Sequence, residues 1–214
     1  MSISESYPRF VASLPEDVTL LAVSKYAADD QIQELISSGQ RLFGENKVQD
    51  GLRKKELFST TPGVKWHLIG HLQTNKVNKA VSTFDCIQTV DSLRLAEKIN
   101  DAAARLGKRQ SIYIQINVAN DPSKFGYEIK SLKQDLSKLF SFLNVSIEGI
   151  MTIAPNIKEE SVLSVFFKDC KILFDTLRAE HPELRTLSMG MSQDYALAMA
   201  NGANMIRVGS LLTN

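Results

Sequence analysis

Cysteine is scarce in this chain. Two occur in 214 residues, Cys86 and Cys170, far apart and without metal-ligand spacing. A disulfide framework and a structural zinc site are therefore not what organises the fold, and two inert free thiols in a reducing cytoplasm are expected. An excess of either charge is also missing. Twenty-five Lys and Arg stand against 24 Asp and Glu, a formal net charge of +1, which gives no argument for nucleic acid or for an acidic partner. There is no basic run interleaved with aromatics. No uncharged apolar stretch approaches the roughly 20 residues of a membrane span. Residues 1–5 have neither the basic nor the apolar region of a secretory signal. Low-complexity segments and linkers are absent as well. What these absences leave is a cytoplasmic, membrane-free chain, 43% hydrophobic, expected to form a single domain over residues 1–214.

What is present is a rhythm. Short apolar runs near residues 18–25, 42–44, 65–69, 86–90, 111–118, 146–152, 187–191 and 205–208 read as strands. Between them lie helical stretches near 31–38, 46–58, 74–83, 92–106, 129–142, 159–180 and 192–201. Asp29 or Asp30, Asp91 or Ser92, and Ser192 are the expected caps, and Gly39, Gly107 and Gly202 the expected stops. A further short helix is expected near 5–13. Uninterrupted βα alternation means parallel strands with right-handed crossovers. Eight repeats fit a closed (β/α)8 TIM barrel, with a doubly wound open sheet as the alternative. The eighth helix looks short or missing, and the N-terminal segment is expected to cover the gap.

In such a barrel the loops after the strands share one rim and carry function. The rim residues are Lys25; Glu45 and Asn46; Gly70, His71 and Gln73; Asp91; Lys124; Thr152; Ser188 to Ser192; and Arg207, Gly209 and Ser210. The run Leu20-Leu21-Ala22-Val23-Ser24-Lys25 ends on a lysine, which is rarely buried without a partner. Lys25 is expected at the strand's lip, facing a pocket, with reduced solvation favouring the free amine that attacks a carbonyl. A lysine leaving the strand for water is the bland alternative. Ser188-Met189-Gly190-Met191-Ser192 and Arg207-Val208-Gly209-Ser210 end the seventh and eighth strands, where barrels commonly hold phosphate. An amine on strand one and an anion cradle on its neighbours fit a phosphorylated carbonyl compound. Pyridoxal 5′-phosphate (PLP) meets that description, and a cation at Arg207 would keep its ring nitrogen unprotonated. His67 is expected to be a core or lip histidine. Glu45 is expected either to orient a lysine or to charge a helix start.

Several motifs carry a resemblance in matching order over residues about 18–212. They are Leu21-Ala22-Val23-Ser24-Lys25, Phe43-Gly44-Glu45-Asn46-Lys47-Val48-Gln49, Trp66-His67-Leu68-Ile69-Gly70-His71-Leu72-Gln73-Thr74-Asn75-Lys76, Gly149-Ile150-Met151-Thr152, Ser188-Met189-Gly190-Met191-Ser192 and Ile206-Arg207-Val208-Gly209-Ser210. The chain resembles the pyridoxal phosphate homeostasis proteins. The resemblance implies a barrel like the N-terminal domain of alanine racemase, with PLP on Lys25 as a Schiff base. It implies phosphate contacts from Ser192, Gly209 and Ser210, and Arg207 near the ring nitrogen. Asn46 and Met151 match ring-lining positions, Ser188 and Met189 lie in the matched motif, and Lys124 matches a loop lysine that holds or passes on the cofactor. Two departures stand out. Thr213-Asn214 replaces a Phe-Gly ending, and Ala203-Asn204 replaces a small hydroxyl pair, which is expected to loosen the surroundings of Arg207.

Racemases of this fold need two opposed bases, the second a tyrosine on a separate domain. No such domain is expected here, and Tyr26, Tyr113, Tyr127 and Tyr195 offer no evident substitute. The expected function is therefore a non-catalytic, monomeric PLP-binding protein that buffers the cofactor or delivers it, with PLP-dependent apo-enzymes as possible partners. A PLP-dependent amino-acid racemase and a cofactor-free Schiff-base aldolase are the alternatives.

Overall fold

Eight parallel strands close on themselves in chain order. A computed structural model describes residues 2–119, 121 and 124–213. The strands are β1 (Thr19–Val23), β2 (Leu42–Glu45), β3 (Lys65–Leu68), β4 (Cys86–Val90), β5 (Gln110–Gln115), β6 (Val145–Met151), β7 (Thr186–Met191) and β8 (Met205–Val208). β8 pairs with β1, Leu21 beside Arg207 and Ala22 beside Val208, so the sheet is a barrel and the open-sheet alternative falls.

The strands are largely buried, and most carry apolar residues on both faces, because both faces of the sheet are covered. Leu20, Ala22, Phe43, Leu68, Ile112, Ile114, Ile150 and Ile206 point outward into the layer shared with the helices. Leu21, Cys86, Tyr113, Met151 and Met205 alternate with them and form a smaller cluster inside the barrel. The helices are α1 (Ile3–Ala12), α2 (Asp29–Ser37), α3 (Val48–Leu57), α4 (Val77–Thr83), α5 (Leu93–Arg105), α6 (Ile129–Phe140), α7 (Glu160–Glu180), α8 (Tyr195–Ala200) and α9 (Ser210–Thr213), with a 3₁₀ turn at Thr74–Lys76. The eighth barrel helix is thus a single turn. α1 fills the shortfall: it packs against α2 and α9, and Phe10 meets the Tyr195 ring at 5.4 Å.

Some boundaries differ from those expected. β1 ends at Val23, because Ser24 and Lys25 already turn toward α2. The residue before α2 is Ala28, so Asp29 and Asp30 sit in its first turn. Ser92 does cap α5, its hydroxyl accepting from Leu95 N–H at 3.3 Å. Ser192 does not cap α8. Asp194 precedes that helix, and its Oδ1 accepts from Met191 N–H at 2.5 Å. Asn204 lies at the floor, where it accepts from Leu187 N–H at 2.7 Å and donates to Arg185 O at 2.7 Å. It therefore ties the start of β7 to the residue that precedes β8. Asn120, Pro122, Ser123 and Asn214 lie outside the described residues. No helix among those described is long and apolar enough to cross a membrane.

Candidate functional site

The C-terminal rim gathers the predicted groups. Lys25 lies two residues past the end of β1, in the turn that leads to α2, at the same end of the strand as Val23. It is exposed, and its Nζ lies 4.8 Å from the centroid of the Tyr26 ring, itself 89% exposed. The reduced solvation expected for this lysine is not found. The strand stops two residues earlier than the pattern predicts, which carries the side chain out to the lip.

β7 and β8 supply the second part of the rim. Gly209 N–H donates to Ser192 Oγ at 3.3 Å, which draws the two strand ends together. A Cβ on Gly209 would stand 3.0 Å from Val23 O and 3.2 Å from Val23 Cβ, so the backbone there lies directly against β1. Gly190 has φ +92°, and a Cβ on it would come within 2.6 Å of Ala198 Cβ; only glycine makes this turn into α8. Lys25, Ser192 and Gly209 thus share one end of the barrel. Ser210 is exposed at the first position of α9. Asn46, just past β2, is partly buried. Met151 lines the barrel interior. Met189 does not. It packs in the outer layer on the opposite face of β7 from Ser188, so only its backbone is near the rim.

Below the rim a hydrogen-bonded chain crosses the interior. Arg207, 4% exposed, donates to Ser188 Oγ and to Thr152 O, both at 2.8 Å. Ser188 donates to Gln88 Oε1 at 2.9 Å, and Gln88 Nε2 lies 2.9 Å from His67 Nδ1. An amide N–H can only donate, so Nδ1 of His67 is the acceptor and its proton sits on Nε2. Burial pulls the His67 pKa down to about 4, which keeps the ring neutral. Burial likewise lowers the Arg207 pKa, to about 10, and the guanidinium remains a cation at neutral pH. No carboxylate among the described residues forms an ion pair with it. Its partners are a hydroxyl and a carbonyl.

A third cluster occupies the opposite arc. His71 Nδ1 lies 3.3 Å from Asp91 Oδ2, and its ring stacks on Phe125 at 3.7 Å. Gln115 Nε2 donates to Phe125 O at 3.0 Å and Lys124 Nζ to Ala154 O at 2.7 Å. Because Phe125 O can only accept, the Gln115 amide cannot be reversed, and its Oε1 is left buried without a partner. Glu45 faces outward and is fully buried against Lys54 of α3. Cys86 and Cys170 are buried and free, and burial raises the pKa of both thiols, which keeps them protonated.

Sequence reasoning overlooked Gln88, Gln115 and Lys54. A signal existed for each. The two glutamines stand at interior-facing positions in step with Cys86 and Tyr113, inside strands whose outward side chains are mostly apolar. Lys54 falls on the stripe Val48, Gly51, Lys54 that α3 turns to the core.

The arrangement fits PLP on its own chemistry. It offers a primary amine at the lip, glycine amide and serine hydroxyl at the adjoining strand ends, and beneath them a buried cation whose hydrogen-bond partners are neutral and on which Asp194 acts only at a distance. The comparisons agree. Residues 3–214 match the family described as alanine racemase, N-terminal domain. The pyridoxal phosphate homeostasis protein of Synechocystis sp. is 37% identical over 207 residues, covering 96% of this chain and 95% of that one. PipY of Synechococcus elongatus PCC7942, solved with PLP bound, superposes with TM-score 0.92 at 38% identity over 99% of this chain and 100% of its own. The alanine racemase of Clostridium difficile 630 shares the fold alone, with TM-score 0.85 at 16% identity, and this chain spans 59% of its length.

Proposed function

The chain belongs to the alanine racemase N-terminal domain family and, within it, to the pyridoxal phosphate homeostasis proteins, and from that premise we propose that it binds PLP covalently and holds it without turning over amino acids. The observation that carries this reading is the presence of Lys25, Ser192 and Gly209 on one rim, with a buried guanidinium below that forms no ion pair among the described residues. Lys25 would hold the cofactor through its amine, and the cofactor, when bound, would supply the aldehyde that such an amine takes up. Ser192 Oγ and the amides around Gly209 and Ser210 hold the phosphate. Arg207, its orientation fixed by Ser188 and Thr152, would be the residue that meets the ring nitrogen. A permanent cation there disfavours protonation of that nitrogen and so weakens the electron sink on which racemisation depends. Asn46 and Met151 line the ring, and Lys124 on the opposite arc serves transfer of the cofactor.

The tyrosines support a carrier over a racemase. Tyr7 donates to Gln40 and Tyr127 to Asp135, Tyr113 packs inside the barrel, and Tyr195 packs on Phe10. Tyr26 is free, but it sits beside Lys25 and does not oppose it. The physiological reading is a cytoplasmic, monomeric reservoir that passes PLP to apo-enzymes.

The test is the visible spectrum of the purified chain with PLP, before and after borohydride. A long-wavelength band, and a reduced adduct mapped to the Lys25 peptide, are expected in the wild type. Both should vanish in Lys25→Ala, and no amino acid should racemise. An adduct that survives Lys25→Ala, or racemisation that depends on Lys25, overturns the proposal. Elution as a dimer on size-exclusion chromatography would overturn the monomer.

A further inference from the structure

We infer that the buried Glu45–Lys54 pair is a positioning device for Lys25, holding the peptide between Ser24 and Lys25 and so the direction in which the amine leaves the end of β1. The inference rests on the function proposed above. Lys54 Nζ donates to Ser24 O at 2.6 Å and to Glu45 Oε1 at 2.5 Å. Ser24 Oγ donates to the same Glu45 oxygen at 2.6 Å. Ser24 N–H donates to Gly44 O at 3.0 Å, and Ser24 O also accepts from Ala27 N–H at 3.0 Å. Every polar atom of Ser24 is therefore engaged. The lysine that follows is exposed. The side chains of Lys54 and Glu45 are 4% and 1% exposed, and Ser24 is 1% exposed.

Stability is a poor reason for this pair. Taking two charges out of water is costly, and apolar residues of similar volume usually serve a core as well or better. Here Glu45 Oε2 has no partner, so the pair is not fully compensated even as built. What an ammonium provides and an apolar side chain cannot is a strong, directional donor on one carbonyl. That carbonyl closes the turn from Ser24 to Ala27, and its plane is the plane of the Ser24–Lys25 peptide. Without the ammonium, one backbone hydrogen bond at the rim is left to fix that plane. α3 thus reaches through the outer layer to hold the base of the reactive side chain, while the side chain itself stays free to meet its ligand.

The test is the double variant Glu45→Gln/Lys54→Met, which removes both charges together. It should fold and melt close to the wild type, yet load PLP on Lys25 about ten- to a hundredfold more slowly. Ala27 N–H should exchange with solvent faster by a similar factor, while the amides of α3 keep their protection. If the double variant does not fold, Glu45→Gln/Lys54→Gln takes its place with the same expectation. A folded variant that loads at the wild-type rate, with Ala27 N–H unchanged, overturns the inference. So does failure of both variants to fold, because the pair would then be structural. Failure of the wild type to label at Lys25 would sink the function instead, and the Ala27 exchange, which needs no cofactor, would still test the anchor.

Discussion

Two buried cations lie on either side of the same strand ends, and they are treated in opposite ways. On the helix-facing side Lys54 is matched by Glu45, charge for charge. Inside the barrel Arg207 is as deeply buried, but its partners Ser188 and Thr152 are neutral. Burying a charge without compensation is unfavourable, so each arrangement needs a reason. The matched pair joins two charges within the protein and bonds a backbone carbonyl. The other cation has only neutral hydrogen-bond partners, and under the function proposed above the cofactor lies on its side of the sheet.

The sharpest way to break this comparison is to unmatch the matched side. Lys54→Met alone strands Glu45 in the outer layer and should cost about 3–5 kcal/mol. For a domain of this size that lowers the melting temperature by about 6–20 °C, read by calorimetry. The second experiment adds charge to the unmatched side through pH. His67 titrates near 6.5 when unfolded and about 4 when folded. Between those values the unfolded chain binds the extra proton. Its contribution is fully present above 6.5 and is lost as pH falls toward 4, up to about 3 kcal/mol. Denaturant titrations should show that His67→Gln loses less over this window than the wild type.

The third experiment removes the unmatched cation itself. Without PLP, Arg207→Met should change stability by no more than about 1–2 kcal/mol, because relieved desolvation offsets the two lost hydrogen bonds. The rise in melting temperature on adding PLP should shrink in the same variant. A ligand-free loss as large as that of Lys54→Met would erase the distinction. Smallest is Gly209→Ala. Its Cβ would meet Val23 O at 3.0 Å, and the crowding should cost about 1 kcal/mol and weaken retention of PLP, measured by dialysis.

Much of this was readable in advance. The βα rhythm gave eight strands in their order, and the runs ending at Lys25, Ser192 and Arg207–Ser210 put the lysine, serine and glycine at one end of the barrel. Lys25 was misjudged because a run of apolar residues does not reveal where pairing stops. β1 ends at Val23, and the two residues beyond it carry the lysine into water. Met189 alternates with the interior Ser188 and packs in the outer layer, a placement that motif matching alone does not give. Gln88 and Gln115 went unread because a polar residue inside a strand has no meaning until the facing strands supply its partners.

The sequence by itself determined the barrel and the chemical types on its rim, since hydrophobic periodicity and turn chemistry act over a few residues and are written locally. Only the tertiary structure decided which charges are matched. Lys54 meets Ser24 across 30 positions, and Ser188 meets Gln88 across 100. Whether a buried group is satisfied depends on atoms that closure of the barrel brings within about 3 Å, and no local pattern encodes that distance.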